Sequence, residues 1–437
     1  MSSIQPAPRS AGFGRFVSGA QAGGQLVVQP RMGMPMPEEM RGGLLATKRA
    51  SATTVGTITL DSYTRVGDHQ AARAALRRCT PLNGYPILAH APGTTRAMLA
   101  GIMDATFPVQ VRHGSADPRD ILAALEATGI DATEGGPVSY CLPYSRMPLR
   151  ESIRAWSEGS RRLAQFQETG RQPHVETFGG CMLGQLCPPS LLVAISLLEA
   201  LFFRQHGLGS ISMSYAQQTN AEQDEEAISA LHNLAAALLP DVDWHVVVYA
   251  YMGVYPRTHR GAELLLQEAA RLAVRTGSAR LIVKTAAEAH RIPTISENVA
   301  ALETAARAAQ NEQVSRPVQT AAHAVHAEAR EIVHAVLSLH QDIGCALAIA
   351  FERGYLDIPY CLHPDNAGRT RSYIDVKGRL QWSTTASLPI NGAPRYRADQ
   401  GLTASGLLSA LSYVAEKFDK HPHDNPSSHL PRLERQA

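Results

Sequence analysis

Residues 108–144 read PVQVRHGSADPRDILAALEATGIDATEGGPVSYCLPY, and the fold is decided by how this stretch is punctuated. A short apolar run ends in Arg112-His113-Gly114, a helical period covers 117–128, and a second short run delivers Glu134 into the turn Gly135-Gly136. This is a strand-helix-strand unit with a charge at each strand end. In a parallel barrel such ends open on one face, so the guanidinium of Arg112 and the carboxylate of Glu134 are expected at one mouth.

The same alternation runs outward in both directions. Strands are expected at 25–29, 55–60, 175–178, 210–215, 245–251 and 280–283, besides the pair above. Helices are expected between them at 37–50, 68–78, 95–106, 149–170, 188–206, 223–239 and 260–276, and at 296–309 after the last strand. Residues 81–93 form a Pro/Asn/Gly-rich connection. The strands are short, apolar and β-branched, as in a parallel sheet buried on both faces. No Gly-rich phosphate loop follows the first strand, which argues against an open doubly wound sheet. The expected fold is therefore an α/β (β/α)8 TIM barrel with a C-terminal accessory extension. Its parts are a flexible N-terminal lead-in at 1–20, the barrel at 21–310, and an extension at 311–437 containing a helix at 314–340 and an extended piece at 357–360.

Composition removes several classes of function. The 437 residues are 44% hydrophobic and 18% charged, ordinary for a soluble globular enzyme. Forty-one basic against 39 acidic residues leave a net charge of +2, which offers no basis for binding nucleic acid or an anionic membrane. The N-terminus has no signal-type apolar core, and the longest apolar run, 191–203, is too short to span a bilayer and carries Glu199. A cytoplasmic location is expected. The six cysteines show no CxxC pair and no histidine at zinc spacing, so reduced thiols and no metal site from this chain are expected.

The strand ends carry the chemistry. Arg31 follows the first strand, Arg65 the second and Arg112 the third, with Glu134 after the fourth and Lys284 after the eighth. Three guanidiniums converging on one mouth repel one another unless an anion enters. The planar fork of arginine suits a carboxylate, so three forks suggest a dicarboxylate. Glu134 could receive an ammonium, and Tyr140 and Tyr144 could add neutral donors. These features describe an acidic amino acid. The plainer readings are surface ion pairs for single arginines, a loop cap for His113, and core aromatics with wet tips for the tyrosines.

An ordered set of motifs carries a resemblance: QPR at 29–31, LDSYTR at 60–65, VRHG at 111–114, TEGGPVSYCLPY at 133–144, PPS at 188–190, IVKTAAEAHRIPT at 282–294 and DIPYCLHPDNAG at 357–368. With these the chain resembles the large, epsilon subunit of glutamate mutase, or methylaspartate mutase. The resemblance implies a (β/α)8 barrel in which Arg31, Arg65 and Arg112 grip the two carboxylates of glutamate. It further implies that Glu134, Tyr140 and Tyr144 meet the substrate, and that Lys284 and Glu288 lie near the adenosyl group of adenosylcobalamin. The implied activity is a radical carbon-skeleton isomerisation of L-glutamate to threo-3-methylaspartate. Implied partners are a small cobalamin-binding subunit carrying DxHxxG and a second copy of this chain within a heterotetramer. Asp243-Trp244-His245 lacks the glycine of that motif and reads as a barrel strand.

Two departures from the family pattern stand out. Tyr249-Ala250-Tyr251-Met252-Gly253 replaces His-Gln-Trp-Met-Gly, and 214–220 replaces a glycine-rich pattern after strand six. Tyr215 and Tyr249, within these departures, and His113, within the matching VRHG, are further site candidates. The departures are compatible with service in a specialised biosynthetic pathway, such as one supplying a peptide natural product. The alternative is a non-catalytic or altered-substrate barrel of the same family that binds an acidic amino acid.

Overall fold

Eight parallel strands form one sheet in the computed structural model, which describes residues 12–182, 186–313, 324–391 and 403–420. They are β1 (Val27–Gln29), β2 (Gly56–Thr59), β3 (Val109–Arg112), β4 (Ala132–Gly135), β5 (His174–Thr177), β6 (Ser210–Ala216), β7 (Asp243–Tyr249) and β8 (Arg280–Ile282). From β2 to β8 each pairs with the next in sequence, β8 returns to pair with β1, and a single parallel bridge between Val28 and Thr54 joins β1 to the approach to β2. The sheet is thereby closed into a (β/α)8 barrel.

Helices fill the connections. α1 (Phe13–Ala22) precedes β1, and α2 (Pro37–Arg49) follows it, opened by Pro37 and the first-turn acids Glu38 and Glu39. α3 (Ser62–Arg65), α4 (His69–Arg77) and α5 (Pro92–Leu99) lie between β2 and β3, and α6 (Arg119–Thr128) lies between β3 and β4. α7 (Leu149–Gln165), α8 (Pro189–Gln205), α9 (Ala221–Leu238) and α10 (His259–Arg275) follow the next strands, and α11 (Ile295–Gln310) closes the round with a Thr294–Glu297 capping box. The extension contributes α12 (Ala324–Leu337), α13 (Ile343–Arg353), an antiparallel hairpin of β9 (Arg371–Ile374) and β10 (Leu380–Thr384), and α14 (Ala404–Asp419).

The architecture agrees with the sequence reading, and several details correct it. Within the expected lead-in, residues 13–22 form a helix whose Phe13 and Val17 are fully buried against the start of the strands. The helix expected at 95–106 ends at Leu99, because Gly101 takes a left-handed turn, φ +73°, that a helix cannot continue. The single turn of α3 escaped the sequence reading; Asp61 caps it by accepting from the backbone of Tyr63 and Thr64. The strand expected at 245–251 begins at Asp243 and ends at Tyr249. Residues 357–360 are not a strand but an irregular piece ending in a turn at 359–360, with the Asp357 carboxylate accepting from the amides of Gly368, Arg369 and Thr370 at 2.6–2.7 Å. Of the helix expected at 314–340, the part before 324 lies outside the described residues, and α12 ends at Leu337.

The barrel interior is polar at its floor. Gln29 donates to Thr57 and Gln110, both at 2.8 Å, Gln110 donates to Glu176 at 3.2 Å, and Arg280 pairs with Glu176 and donates to Ser212 at 2.9 Å. Both members of the Arg280–Glu176 pair are fully buried, so each is the condition for keeping the other charged. Below them Phe13 stacks on His174 at 5.0 Å, with the Arg280 guanidinium 5.0 Å from the same ring. α1 is therefore the plug that keeps water from the floor. On the outside, α8 is apolar nearly all round because it lies between β5, β6 and α9 on one side and α12 and α13 on the other. One continuous hydrophobic cluster runs from the barrel through α8 into Val325, Ile332, Leu347 and Phe351 of the extension.

Candidate active site at the barrel mouth

Arg112 is the last residue of β3, and Glu134 stands on β4, which pairs in parallel with it. Their side chains meet, Nε to Oε2, at 2.7 Å, with side-chain exposures of 5% and 3%. Burial works against the Arg112 charge, but Glu134 and then Tyr249 outweigh it and hold the guanidinium protonated. Two tyrosines converge on this pair. The Tyr140 hydroxyl donates to Glu134, the Tyr249 hydroxyl donates to Glu134 at 2.9 Å and contacts Glu176, and Arg112 Nη2 reaches the Tyr249 hydroxyl at 3.3 Å. Arg112 Nη1 is buried with no partner among the described residues.

Glycine geometry places these groups. Gly135 sits at φ +133°, and a Cβ there would come within 2.5 Å of both Trp156 and Tyr140. Only glycine therefore lets the chain leave β4 and fold Tyr140 back over Glu134. Tyr140 packs on Phe178 at 5.1 Å and lies edge-on to Tyr144 at 6.1 Å; Phe178 lies edge-on to Tyr249 at 5.6 Å. The result is an aromatic wall around a charged floor.

The outer arginines are less enclosed. Arg31 lies 3.7 Å from Glu288, which lies 3.7 Å from Lys284. Arg65 Nε donates to the His113 carbonyl at 3.2 Å, and Gly114, φ +69°, leaves room for it: a Cβ there would be 3.0 Å from Nε. Both arginines act electrostatically on Tyr144, which is 42% exposed at the mouth. Lys284 is depressed to about 8 by burial and by Arg31, against the pull of Glu288. Next to it the Tyr255 hydroxyl and the Thr285 hydroxyl are buried without a partner among the described residues.

The structure sorts the sequence candidates. Arg112, Glu134, Tyr140 and Tyr249 form one hydrogen-bonded group; Arg31, Lys284 and Glu288 form a second; Arg65 and Tyr144 lie beside them. His113 caps its own loop, Nδ1 accepting from Ser115 at 3.0 Å, while its ring stacks on Trp156 at 5.7 Å. Burial and the nearby Arg65 lower its pKa to about 3, so it is neutral. Tyr215 is a correction: it faces away from the mouth, and its hydroxyl donates to Asp224 of α9 at 2.8 Å. Ser212 of β6 faces inward, where it accepts from Arg280, and Tyr215 falls on the opposite face because parity along a strand alternates. His245 of the Asp243-Trp244-His245 near-match is buried in β7 and stacks on His174 at 5.3 Å. Sequence reasoning missed Glu176, Phe178 and Arg280. A charge within an otherwise buried strand was the available signal for Glu176, which sits in register with Glu134.

Fold and site together define a (β/α)8 barrel whose mouth gathers fixed groups of both charge signs. The family model described as "Methylaspartate mutase E chain (MutE)" matches residues 7–405. Similar proteins include the glutamate mutase epsilon subunit of Halobacterium salinarum, 31% identical over 424 residues that cover 92% of this chain and 87% of that one. The glutamate mutase epsilon subunits of Escherichia coli O157:H7 and Yersinia enterocolitica are 28% and 29% identical over 403 residues, covering 88% of this chain and 82% of theirs. The chain belongs to the methylaspartate mutase E chain family.

Proposed function

We propose that this chain is the substrate-binding catalytic component of an adenosylcobalamin-dependent mutase that interconverts L-glutamate and threo-3-methylaspartate by radical carbon-skeleton rearrangement. The observation that carries the reading is the buried Arg112–Glu134 pair with its spare Arg112 Nη1. A ligand bearing an adjacent ammonium and carboxylate can exchange with that pair, carboxylate to Arg112 and ammonium to Glu134, without stranding a buried charge. Around the mouth Arg31, Arg65, Arg112 and Lys284 stand against Glu134 and Glu288, four cationic groups against two carboxylates. That excess attracts a second carboxylate, which completes an acidic amino acid.

The β8 rim fits the adenosyl portion of the cofactor. Lys284, Glu288 and the partnerless hydroxyls of Tyr255 and Thr285 supply the donors and acceptors that sugar hydroxyls need. When bound, adenosylcobalamin supplies the radical chemistry. The residues of this chain do the rest by holding. Arg112 and Glu134 fix the amino-acid end, Arg31 and Arg65 fix the second carboxylate, and Tyr140, Phe178 and Tyr249 exclude water so that migrating fragments keep their orientation. A small subunit with a DxHxxG motif would hold the corrin, since His245 is enclosed in the barrel. A homodimer of this chain within a heterotetramer and a cytoplasmic location complete the reading.

The test is turnover: full-length chain, a matching small subunit, adenosylcobalamin and L-glutamate should yield 3-methylaspartate together with a glutamate-triggered cobalt(II) radical signal. The absence of both product and signal would overturn the mutase reading. Calorimetric binding of L-glutamate without turnover would leave a barrel that binds an acidic amino acid without converting it.

A further inference from the structure

α8 is buried along Pro189–Phe203, and all of that run is apolar or small except Glu199, which has no solvent exposure. No cation bonds to this carboxylate among the described residues. Burial pushes its pKa up to about 7, opposed by hydrogen bonds from Ser139, Val138 and the Gly179 amide. An acid is costly in such a place, and leucine or alanine would pack there without that cost. Its partners explain its presence.

Glu199 Oε1 accepts from the backbone amides of Val138 at 3.2 Å and Ser139 at 2.9 Å, and Oε2 accepts from the Ser139 hydroxyl at 2.9 Å. All three donors belong to the turn between Glu134 and Tyr140. The carboxylate also fills the space beside Gly136, where a Cβ would lie 2.0 Å from Oε1. The loop after β5 also lies close on α8, where a Cβ at Gly179 would come 2.7 Å from the Ser196 amide, and Phe178 beside it packs on Tyr140. One buried carboxylate thus holds the glycine-bearing turn that delivers Tyr140 to the mouth.

We propose that Glu199 is a positioning residue for amino-acid binding: its carboxylate fixes the turn at 136–139 and so sets the Tyr140 hydroxyl on Glu134. The proposal rests on the reading of Glu134 and Tyr140 as groups that meet the substrate. Glu199 touches no ligand in this arrangement and acts only through Tyr140. Glutamine at 199 can still accept from both amides with its oxygen and donate to Ser139 Oγ with its nitrogen, whereas alanine makes none of these bonds.

The test is calorimetric binding of L-glutamate to the full-length chain in a double-mutant cycle, with folding checked by thermal melting. Tyr140→Phe should weaken binding about 10-fold, Glu199→Ala by a similar factor, and Glu199→Gln by no more than about 3-fold. The double variant Tyr140→Phe/Glu199→Ala should bind no worse than Tyr140→Phe, because the two changes remove one effect. Ser139→Ala, which deletes one donor, gives a milder second variant should Glu199→Ala fail to fold, and should itself weaken binding. Folded Glu199→Ala or Ser139→Ala protein that binds as wild type overturns the proposal, as does a loss that adds in full to that of Tyr140→Phe. Wild-type binding left intact by Tyr140→Phe, or no L-glutamate binding at all, overturns the substrate reading and this proposal with it.

Discussion

Arg112 and Glu134 neutralise one another in a place where neither could stay charged alone. Arg112→Lys keeps the charge but loses the planar fork, and L-glutamate affinity measured by calorimetry should fall about 10-fold or more. Glu134→Gln strands the guanidinium, so a loss of about 3 kcal/mol in stability should accompany lost binding in urea unfolding. Lys284 gives a pH signature. Its pKa in the folded chain is about 8 against an ordinary 10.5, so between these values the unfolded chain binds more protons and stability rises with pH. The unfavourable contribution is present in full below about 8 and is gone above 10.5. Compared with Lys284→Met, wild type should therefore gain stability between these pH values; parallel urea midpoints would contradict the assignment.

Elements set the precision of the mouth. β4 and its following turn need Gly135 for a backbone angle and Gly136 for space, with Glu199 of α8 occupying the volume a side chain would take. Gly136→Ala should cost about 1–3 kcal/mol by overpacking, read from the unfolding midpoint, and should weaken L-glutamate binding in the protein that still folds. α1 acts at the opposite end. Phe13 is fully buried, stacks on His174 and covers Arg280, so Phe13→Ala should cost about 3–5 kcal/mol and admit water to the Arg280–Glu176 pair. Hydrogen exchange at the β5 and β6 amides reports that admission.

The whole molecule couples barrel and extension through α8. Its inner face packs on β5 and β6 and its outer face on α12 and α13, and all share one apolar cluster. A chain ending at Gln310 would expose that outer face to water. It should aggregate or unfold non-cooperatively, measured by light scattering and by the sharpness of the melting transition, rather than behave as an independent barrel. Because Glu199 projects from the same helix, loosening the extension would be transmitted to the Tyr140 turn.

Much of this was legible in the chain as written. Alternating strand and helix periods, short β-branched strands and the absence of a phosphate loop determined the parallel barrel, since these patterns follow from local burial and backbone chemistry. Strand-end motifs determined which charges stand at the mouth, and the ordered motif set determined the family. Only the tertiary structure decided which inward groups meet. Arg112 pairs with Glu134 while Arg280 pairs with Glu176, because the stagger of strands around a closed sheet puts side chains distant in sequence into contact. Tyr215 turned outward to Asp224, since a displacement of one residue along a strand reverses its face. α1 became a plug rather than a lead-in because Phe13 and Val17 had an open barrel end to bury against. Glu199, a lone acid in an apolar helix by sequence, acquired its meaning when α8 was laid beside the turn that carries Tyr140.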